Sequence, residues 1–332
     1  MKYIQLDQQP ELPVVSIVIM NYNYSSFLPV AIESCLSQTY PKLEVVVVDD
    51  GSIDNSQAVI SSFGDRIVPV FKPNGGQASA LNAGFKASRG DIICLLDADD
   101  VFLPDKVEYI VGQYLTLPEC NWVFTESAPI ETNEIQLDTI NALFSLILAN
   151  SPPDQLEDID FRTGVRDGKI PNFTPSTSNL SFARALLSHL IPLPEVKGIS
   201  GVAISDLYIK TLAVALGVGR VSKKNLGIYR FHNNYYTNLD LNKKRRIFGE
   251  INVSTGYWMA KNFPELDKIS KKFLAKGYAA YLISNYSKDN FADADCREML
   301  KKYLANCSLW KRLDVYLLIA HYYIRLLSKD FV

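Results

Sequence analysis

Four runs of apolar, β-prone residues recur within the first hundred positions, at 14–20, 43–48, 67–71 and 92–96, and each gives way to polar residues or a turn. A strand buried on both faces reads as a continuous apolar run rather than an alternating one. Between the runs the spacing turns helical. Leu28, Ala31, Ile32, Cys35 and Leu36 mark a helix over 27–38 that Ser25 or Ser26 is placed to cap. A second helix opens at Asp54 or Asn55 and reaches about Phe63, and a third spans 77–88 with Ala78, Leu81, Ala83 and Phe85 available for packing. This strand–helix alternation predicts an α/β fold with a doubly wound, mostly parallel sheet. Such sheets bind ligands beyond the carboxyl ends of their strands. The polar clusters 21–23, 49–52 and 97–100, and the turn 74–77, all fall at such ends.

Beyond residue 120 the pattern loosens. A strand is expected at 122–130, a helix at 137–149 and an acidic loop at 154–168 after Pro152 and Pro153. Residues 175–179 lead into an amphipathic helix near 183–189, and a helix over 205–217 begins close to Asp206. Gly217 and Gly219 read as a helix C-cap and turn. From Asn242 onward the pattern is helical, so a boundary falls near Asp240 between a domain of 1–240 and a helical region of 241–332. A chain of 332 residues with 48% hydrophobic content has room for one large domain with an appendage, or for two.

Lys and Arg number 34 against 36 acidic residues, and this net charge of -2 provides no field for nucleic acid. The five cysteines, at 35, 94, 120, 296 and 307, contain no CxxC pair, which points to buried free thiols in a reducing compartment. No apolar leader precedes the first strand, and the apolar stretch 315–327 is interrupted by His321 and Arg325. That stretch is shorter than the roughly 20 residues a spanning helix needs. A soluble, cytoplasmic protein is expected. Lys243-Lys244-Arg245-Arg246 is either a solvated helix end or a contact for anionic lipid headgroups beside the Tyr-rich tail, at the inner membrane face. Oligomeric state is not legible.

The strongest local chemistry is Asp97-Ala98-Asp99-Asp100 directly after a buried strand. Ionised carboxylates cannot be buried unpaired, and a hard divalent cation such as Mn²⁺ or Mg²⁺ resolves their repulsion while bridging to phosphates. An acidic turn capping the next helix is the plainer alternative. In Asp49-Asp50-Gly51-Ser52, Asp50 is suited to accept from a nucleobase N–H, Gly51 to let backbone pass close to a ligand, and Tyr22 to flank the base. The same residues also make an ordinary turn. Asn74-Gly75-Gly76-Gln77 lacks the Lys and spacing of a P-loop, no GxGxxG follows the first strand, and no HExxH occurs.

These motifs in this order resemble glycosyltransferase family 2. The resemblance rests on Ser16-Ile17-Val18-Ile19-Met20-Asn21-Tyr22-Asn23, Ser37-Gln38-Thr39-Tyr40, and Val48-Asp49-Asp50-Gly51-Ser52-Ile53-Asp54. It continues through Asn74-Gly75-Gly76-Gln77, Ala80-Leu81-Asn82-Ala83-Gly84, Gly90-Asp91 and Leu96-Asp97-Ala98-Asp99-Asp100. It implies a GT-A fold, Rossmann-like, with a nucleotide-sugar-binding half at 14–120 and an acceptor-binding half at 121–240. By the same resemblance Asp50 binds the base, Asp97 the ribose and phosphates, and Asp99 the metal. Met20, Tyr22, Asn23, Asn74, Gln77, Asn82 and Ala98 complete the donor site.

Residues 175–182 resemble the family's acceptor-side strand. Asp206 takes the place of the second member of an acidic pair, the catalytic base, with Ser205 where the first acid is expected. Ile228-Tyr229-Arg230-Phe231-His232 resembles a segment whose histidine completes the metal shell or meets the diphosphate. Arg230 is then a diphosphate partner or a structural ion-pair residue. The resemblance implies an inverting, metal-assisted transfer from a nucleotide-sugar donor, UDP being the commonest, to a hydroxyl of a glycan or lipid-linked glycan. A sugar-phosphate nucleotidyltransferase and an inactive nucleotide-sugar-binding module are the competing readings.

Overall fold

The computed structural model describes residues 12–132, 135, 139–173, 175–196, 204–232, 239–284 and 296–328, with backbone alone at 204 and 205. The first half runs β1 (Val15–Asn21), α1 (Leu28–Leu36), β2 (Leu43–Asp49), α2 (Ser56–Ser62), β3 (Val68–Phe71), α3 (Gln77–Ala87), β4 (Ile92–Asp97), β5 (Val101–Phe102), α4 (Lys106–Thr116) and β6 (Cys120–Glu131). Then follow α5 (Ile140–Ala149), β7 (Leu156–Ile159), α6 (Arg162–Arg166), β8 (Leu180–Ala183), α7 (Arg184–Leu190), α8 (Ile204–Leu216) and β9 (Val218–Phe231). Four helices close the chain: α9 (Leu241–Asn262), α10 (Asp267–Ile283), α11 (Cys296–Ala305) and α12 (Leu309–Leu327).

The strands form a mixed sheet in the order β3-β2-β1-β4-β8-β6-β9-β5, with β7 on β9. β1 pairs in parallel with β2 on one side and β4 on the other. The chain therefore reverses direction of winding at β1 and β4, and a crevice opens beyond their carboxyl ends. Both faces of β1, β2 and β4 are covered, which is why their runs are continuously apolar; β3, at the sheet edge, half-buries Val68 and Val70 and exposes Pro69 and Phe71. Val18, Val46, Val48 and Leu95 pack on one side with α8 and α10 residues such as Leu212 and Phe273. Ile17, Ile19, Val47 and Leu96 pack on the other with Leu28, Ile32 and Ile110.

The helical C-terminal region begins where Asp240 accepts from the Lys243 N–H and caps α9. It is not detached from the sheet layer, because Met259, Leu266, Ile269 and Phe273 belong to the core on the sheet's α8 side. Val253, Leu274, Ala279, Leu300, Val315 and Ile319 form a second core among α9–α12. Arg246 lies inside this region, 4% exposed, ion-paired to Glu250 at 2.8 Å and over the Tyr281 ring. The expected basic quartet is thus split between core and surface. No helix among the described residues is long and apolar enough to cross a membrane.

Several local expectations are corrected. The acidic stretch 154–168 holds β7 and α6; β7 is an exposed edge strand antiparallel to β9, so it shows no apolar period. α1 starts without a side-chain cap, since Phe27 and not a serine holds the N-cap position; the Ser25 N–H donates to Asp54 Oδ2 across the neighbouring loop. Gly219 is within β9, where a Cβ would lie 2.1 Å from the Trp122 ring, and Gly217 alone follows the helix. All five cysteines are buried and none forms a disulfide.

Candidate active site

The parallel register sets the site. Asn21 lies beside Asp49, and Met20 beside Asp97, so the ends of β1, β2 and β4 share one line. Asp97 and Asp99 retain partial access while Asp100 is 2% exposed. Their partners separate them. Asp97 Oδ1 accepts from Gln77 Nε2 at 3.2 Å, Asp99 Oδ2 lies 2.9 Å from His232 Nε2, and Asp100 Oδ2 accepts from Ser178 Oγ at 2.6 Å. Asp100 Oδ1 also accepts from the Arg230 backbone N–H at 3.1 Å, so this carboxylate ties β4 to β9.

Asp206, in the first turn of α8, accepts from Thr177 Oγ1 at 2.5 Å. Thr177 is in turn 3.4 Å from Gln77 Nε2, completing a chain from Asp97 to Asp206. Burial pushes the Asp97 carboxyl well above the usual carboxylate range, with Asp206, Asp99 and Asp100 adding to it. Burial likewise raises Asp206, opposed by the Thr177 hydrogen bond and the Lys210 charge. Asp100 is pushed up to about 7 by burial and Asp99. An acidic crevice of this kind favours a cationic occupant.

Arg230 faces the same corner. Its guanidinium is 4.8 Å from the Phe27 ring centroid, and Nε and Nη2 are buried without a hydrogen-bond partner. The His232 ring stacks on Phe27 at 5.0 Å and meets Tyr24 edge-on at 5.8 Å. Unsatisfied buried donors are costly, and two N–H groups on one guanidinium suit phosphate oxygens. Among the described residues no three metal-ligating side chains converge. The Asp99–His232 pair nevertheless fits a hard divalent cation, whose remaining ligands are commonly substrate phosphates and water. The chemistry of the donor set therefore agrees with Mn²⁺ or Mg²⁺ held with a diphosphate.

The expected base corner is built differently from its simplest reading. Asp50 is 2% exposed; Oδ2 accepts from Gly76 N–H at 2.7 Å, Oδ1 from Gly75 N–H at 3.0 Å, and Lys72 Nζ pairs with it. Asp50 thereby folds the 72–77 turn onto the end of β2. Gly51, at φ 74°, leaves room for that turn, since a Cβ there would lie 2.5 Å from Asn74 N. Asn74 and Tyr22 are exposed at this rim, Tyr22 at 45%. Asn23, at φ 59°, accepts from Ile53 N–H at 2.8 Å and its N–H donates to Ser52 Oγ, so it fastens the loop after β1. Met20 and Ala98 are buried and joined by the Ala98 N–H to Met20 carbonyl bond at 3.2 Å.

Asn82 stands apart from the donor corner in its bonding. Its side chain donates to the Leu193 carbonyl at 3.0 Å and accepts from the Leu193 N–H at 2.7 Å, bracing that segment. Other shared motifs are also scaffolding. Gln38 bridges the Leu103 carbonyl and the Val107 N–H, and Gly90 passes so close to β1 that a Cβ would meet Ser16 N at 2.4 Å.

Lys72, Phe27 and Lys106 carried no signal of their own in the sequence, and Thr177 and Ser178 stood out only within the 175–182 segment, not as partners of Asp206 and Asp100. Lys106, 1% exposed, donates to the Ser178 carbonyl at 2.8 Å and to Asn179 Oδ1 at 3.1 Å, and burial lowers its ammonium to about 8. It fixes the turn that presents Thr177. The polar triplet Thr177-Ser178-Asn179 ahead of an apolar strand was the available signal.

Comparison with known proteins agrees with this geometry. Glycosyl transferase family 2 matches residues 16–188. An uncharacterized glycosyltransferase of Nostoc sp. (strain PCC 7120) is 35% identical over 222 residues, covering 66% of this chain and 65% of its own. Chondroitin synthase of Pasteurella multocida is 41% identical over 107 residues, 31% of this chain and 11% of that one. The chain thus spans less than two thirds of the length of these curated relatives. The crystal structure of S. aureus TarS 1-349 in complex with UDP-GlcNAc superposes with a TM-score of 0.54 at 14% identity, covering 93% of this chain and 80% of that one. The chain belongs to glycosyl transferase family 2, and its fold is GT-A.

Proposed function

We propose that this chain transfers a sugar from a nucleotide diphosphate donor to an acceptor hydroxyl in a single displacement that inverts the anomeric carbon. The observation that carries the reading is Arg230. Its two orphaned N–H groups lie in the corner of the Asp99–His232 pair, and Asp206 is reached from Asp97 through two side chains. In this reading Arg230 grips the diphosphate, while Asp97 and Gln77 hold the ribose and phosphate side of the donor. Asp50 shapes the 72–77 turn against which the base lies, with Tyr22 and Asn74 at its rim.

When bound at Asp99 and His232, Mn²⁺ or Mg²⁺ supplies positive charge to the departing diphosphate. Asp206 takes the proton of the acceptor hydroxyl, which is a poor nucleophile until deprotonated. Transfer needs no covalent intermediate, because nucleophile and leaving group are held on opposite sides of one carbon. A UDP-sugar donor is proposed by analogy with the UDP-GlcNAc complex of TarS. A glycan is proposed as acceptor by analogy with chondroitin synthase, and a lipid-linked glycan on the family resemblance alone.

The test is a panel of nucleotide sugars assayed for diphosphate release with Mn²⁺ and with EDTA. Release from one donor class, dependent on the metal, is expected. No release from any donor, with intact fold and any glycan acceptors supplied, would overturn the proposal.

A further inference from the structure

The outer face of α12 is apolar from end to end. Leu309, Leu313, Leu317, Ile324 and Leu327 follow one another at helical spacing, exposed at 80, 51, 61, 67 and 61%, with Trp310 beside them at 82%. Tyr316 and Tyr323 border the row, and Ala320 fills its middle. The opposite face, through Val315, Ile319 and Leu326, is already buried. A helix apolar on both faces is expected to be covered on both. Of the 21 exposed large apolar side chains among the described residues, eight are on this 19-residue helix, so the patch is concentrated rather than scattered.

Charge says what covers it. Residues 241–332 carry 17 Lys and Arg against 9 Asp and Glu, a net +8, whereas residues 1–240 carry 17 against 27, a net -10. The near-neutral total conceals two oppositely charged parts. Lys311, near the start of α12, does not face this row: it turns to α10 and α11, paired with Asp267 at 2.8 Å and over the Tyr303 ring. Arg312 is tied to the Leu304 and Cys307 carbonyls at 2.9 and 3.1 Å, whereas Arg325 is exposed at the border of the row, near Lys276. A helical region of net +8 that carries a Trp-, Tyr- and Leu-rich stripe matches a surface of anionic headgroups over acyl chains.

We propose that α12 lies in the interface of an anionic lipid bilayer, its apolar row among the acyl chains and the net-basic helical region that carries it drawn to the headgroup phosphates. The assignment is independent of the donor-site reading. It moves the lipid contact from the 243–246 quartet, part of which is buried, to the last described helix.

The full chain is sedimented with vesicles of phosphatidylglycerol and phosphatidylcholine, and with phosphatidylcholine alone, at low and high salt. Binding to the anionic vesicles is expected, weakened by salt and by omission of phosphatidylglycerol. The doubly substituted Leu313→Glu, Leu317→Glu chain should bind at least about tenfold more weakly, because two exposed apolar anchors are replaced by anions. Its thermal midpoint and its diphosphate release from free donor should stay those of the wild type, which separates a failure here from a failure at the donor site. The proposal is overturned if the wild type stays in the supernatant, or if the double variant sediments equally. It is also overturned if analytical ultracentrifugation shows that these substitutions dissolve a dimer while vesicle binding is unchanged.

Discussion

Asp206 receives the Thr177 hydroxyl at one oxygen, and its other oxygen is outside that bond. Burial holds its carboxyl protonated at higher pH than an ordinary aspartate. A base acts only when deprotonated, so turnover should rise as pH climbs through the raised folded pKa and level off above it. The acid limb of a pH–rate profile is expected above the usual carboxylate range. Asp206→Asn should lower turnover by about 10²–10⁴ and leave donor affinity within about twofold, measured by nucleotide titration. A variant with near wild-type turnover removes Asp206 from that role. Arg230→Gln should show the opposite pattern, a donor affinity loss of about 1.5–3 kcal/mol, because it deletes a charged hydrogen-bonding partner of the diphosphate. Unchanged affinity would return Arg230 to a structural role.

At the scale of elements, the two turns after β2 and β3 interlock through Gly51 and Asn74. Gly51→Ala adds a Cβ 2.5 Å from a backbone nitrogen at φ 74°, whereas Gly64→Ala, at φ 54°, meets nothing within 4 Å. Calorimetric unfolding should show a loss of about 1–3 kcal/mol at position 51 and a smaller one at 64. Equal losses would mean that backbone strain alone matters. These elements also show what was legible beforehand. β1, β2 and β4 were readable because a parallel strand covered on both faces needs apolar side chains throughout, and edge strand β3 because its short β-branched run is bounded by turn residues. β7 was not, since of its four residues Ile159 alone reaches the core, and two-residue β5 is too short to carry a period. The 14-residue β9 mixes Arg220, Lys223 and Lys224 with buried Leu226 and Ile228, so no clean alternation survives. At the site, Asp97, Asp99 and His232 were visible as strand-end motifs. Lys106 and Phe27 were not, because what marks them is a partner 72 residues away for Lys106 and a ring stacked on His232 for Phe27.

Across the whole molecule, residues 1–240, which hold the crevice, gather acid, while the helical region 241–332 gathers base. A carboxylate-rich crevice has little affinity for a diphosphate by itself, since like charges repel. On the proposed reading, cation and donor therefore bind together at Asp99, His232 and Arg230. The direct measurement is calorimetric titration of the nucleoside diphosphate that the donor panel selects, into wild type and Asp99→Asn, with Mn²⁺ and with EDTA. The account predicts tight binding only for wild type with Mn²⁺, weakened at least about tenfold by either change. Equal affinity in EDTA, or in Asp99→Asn with Mn²⁺ present, would contradict it.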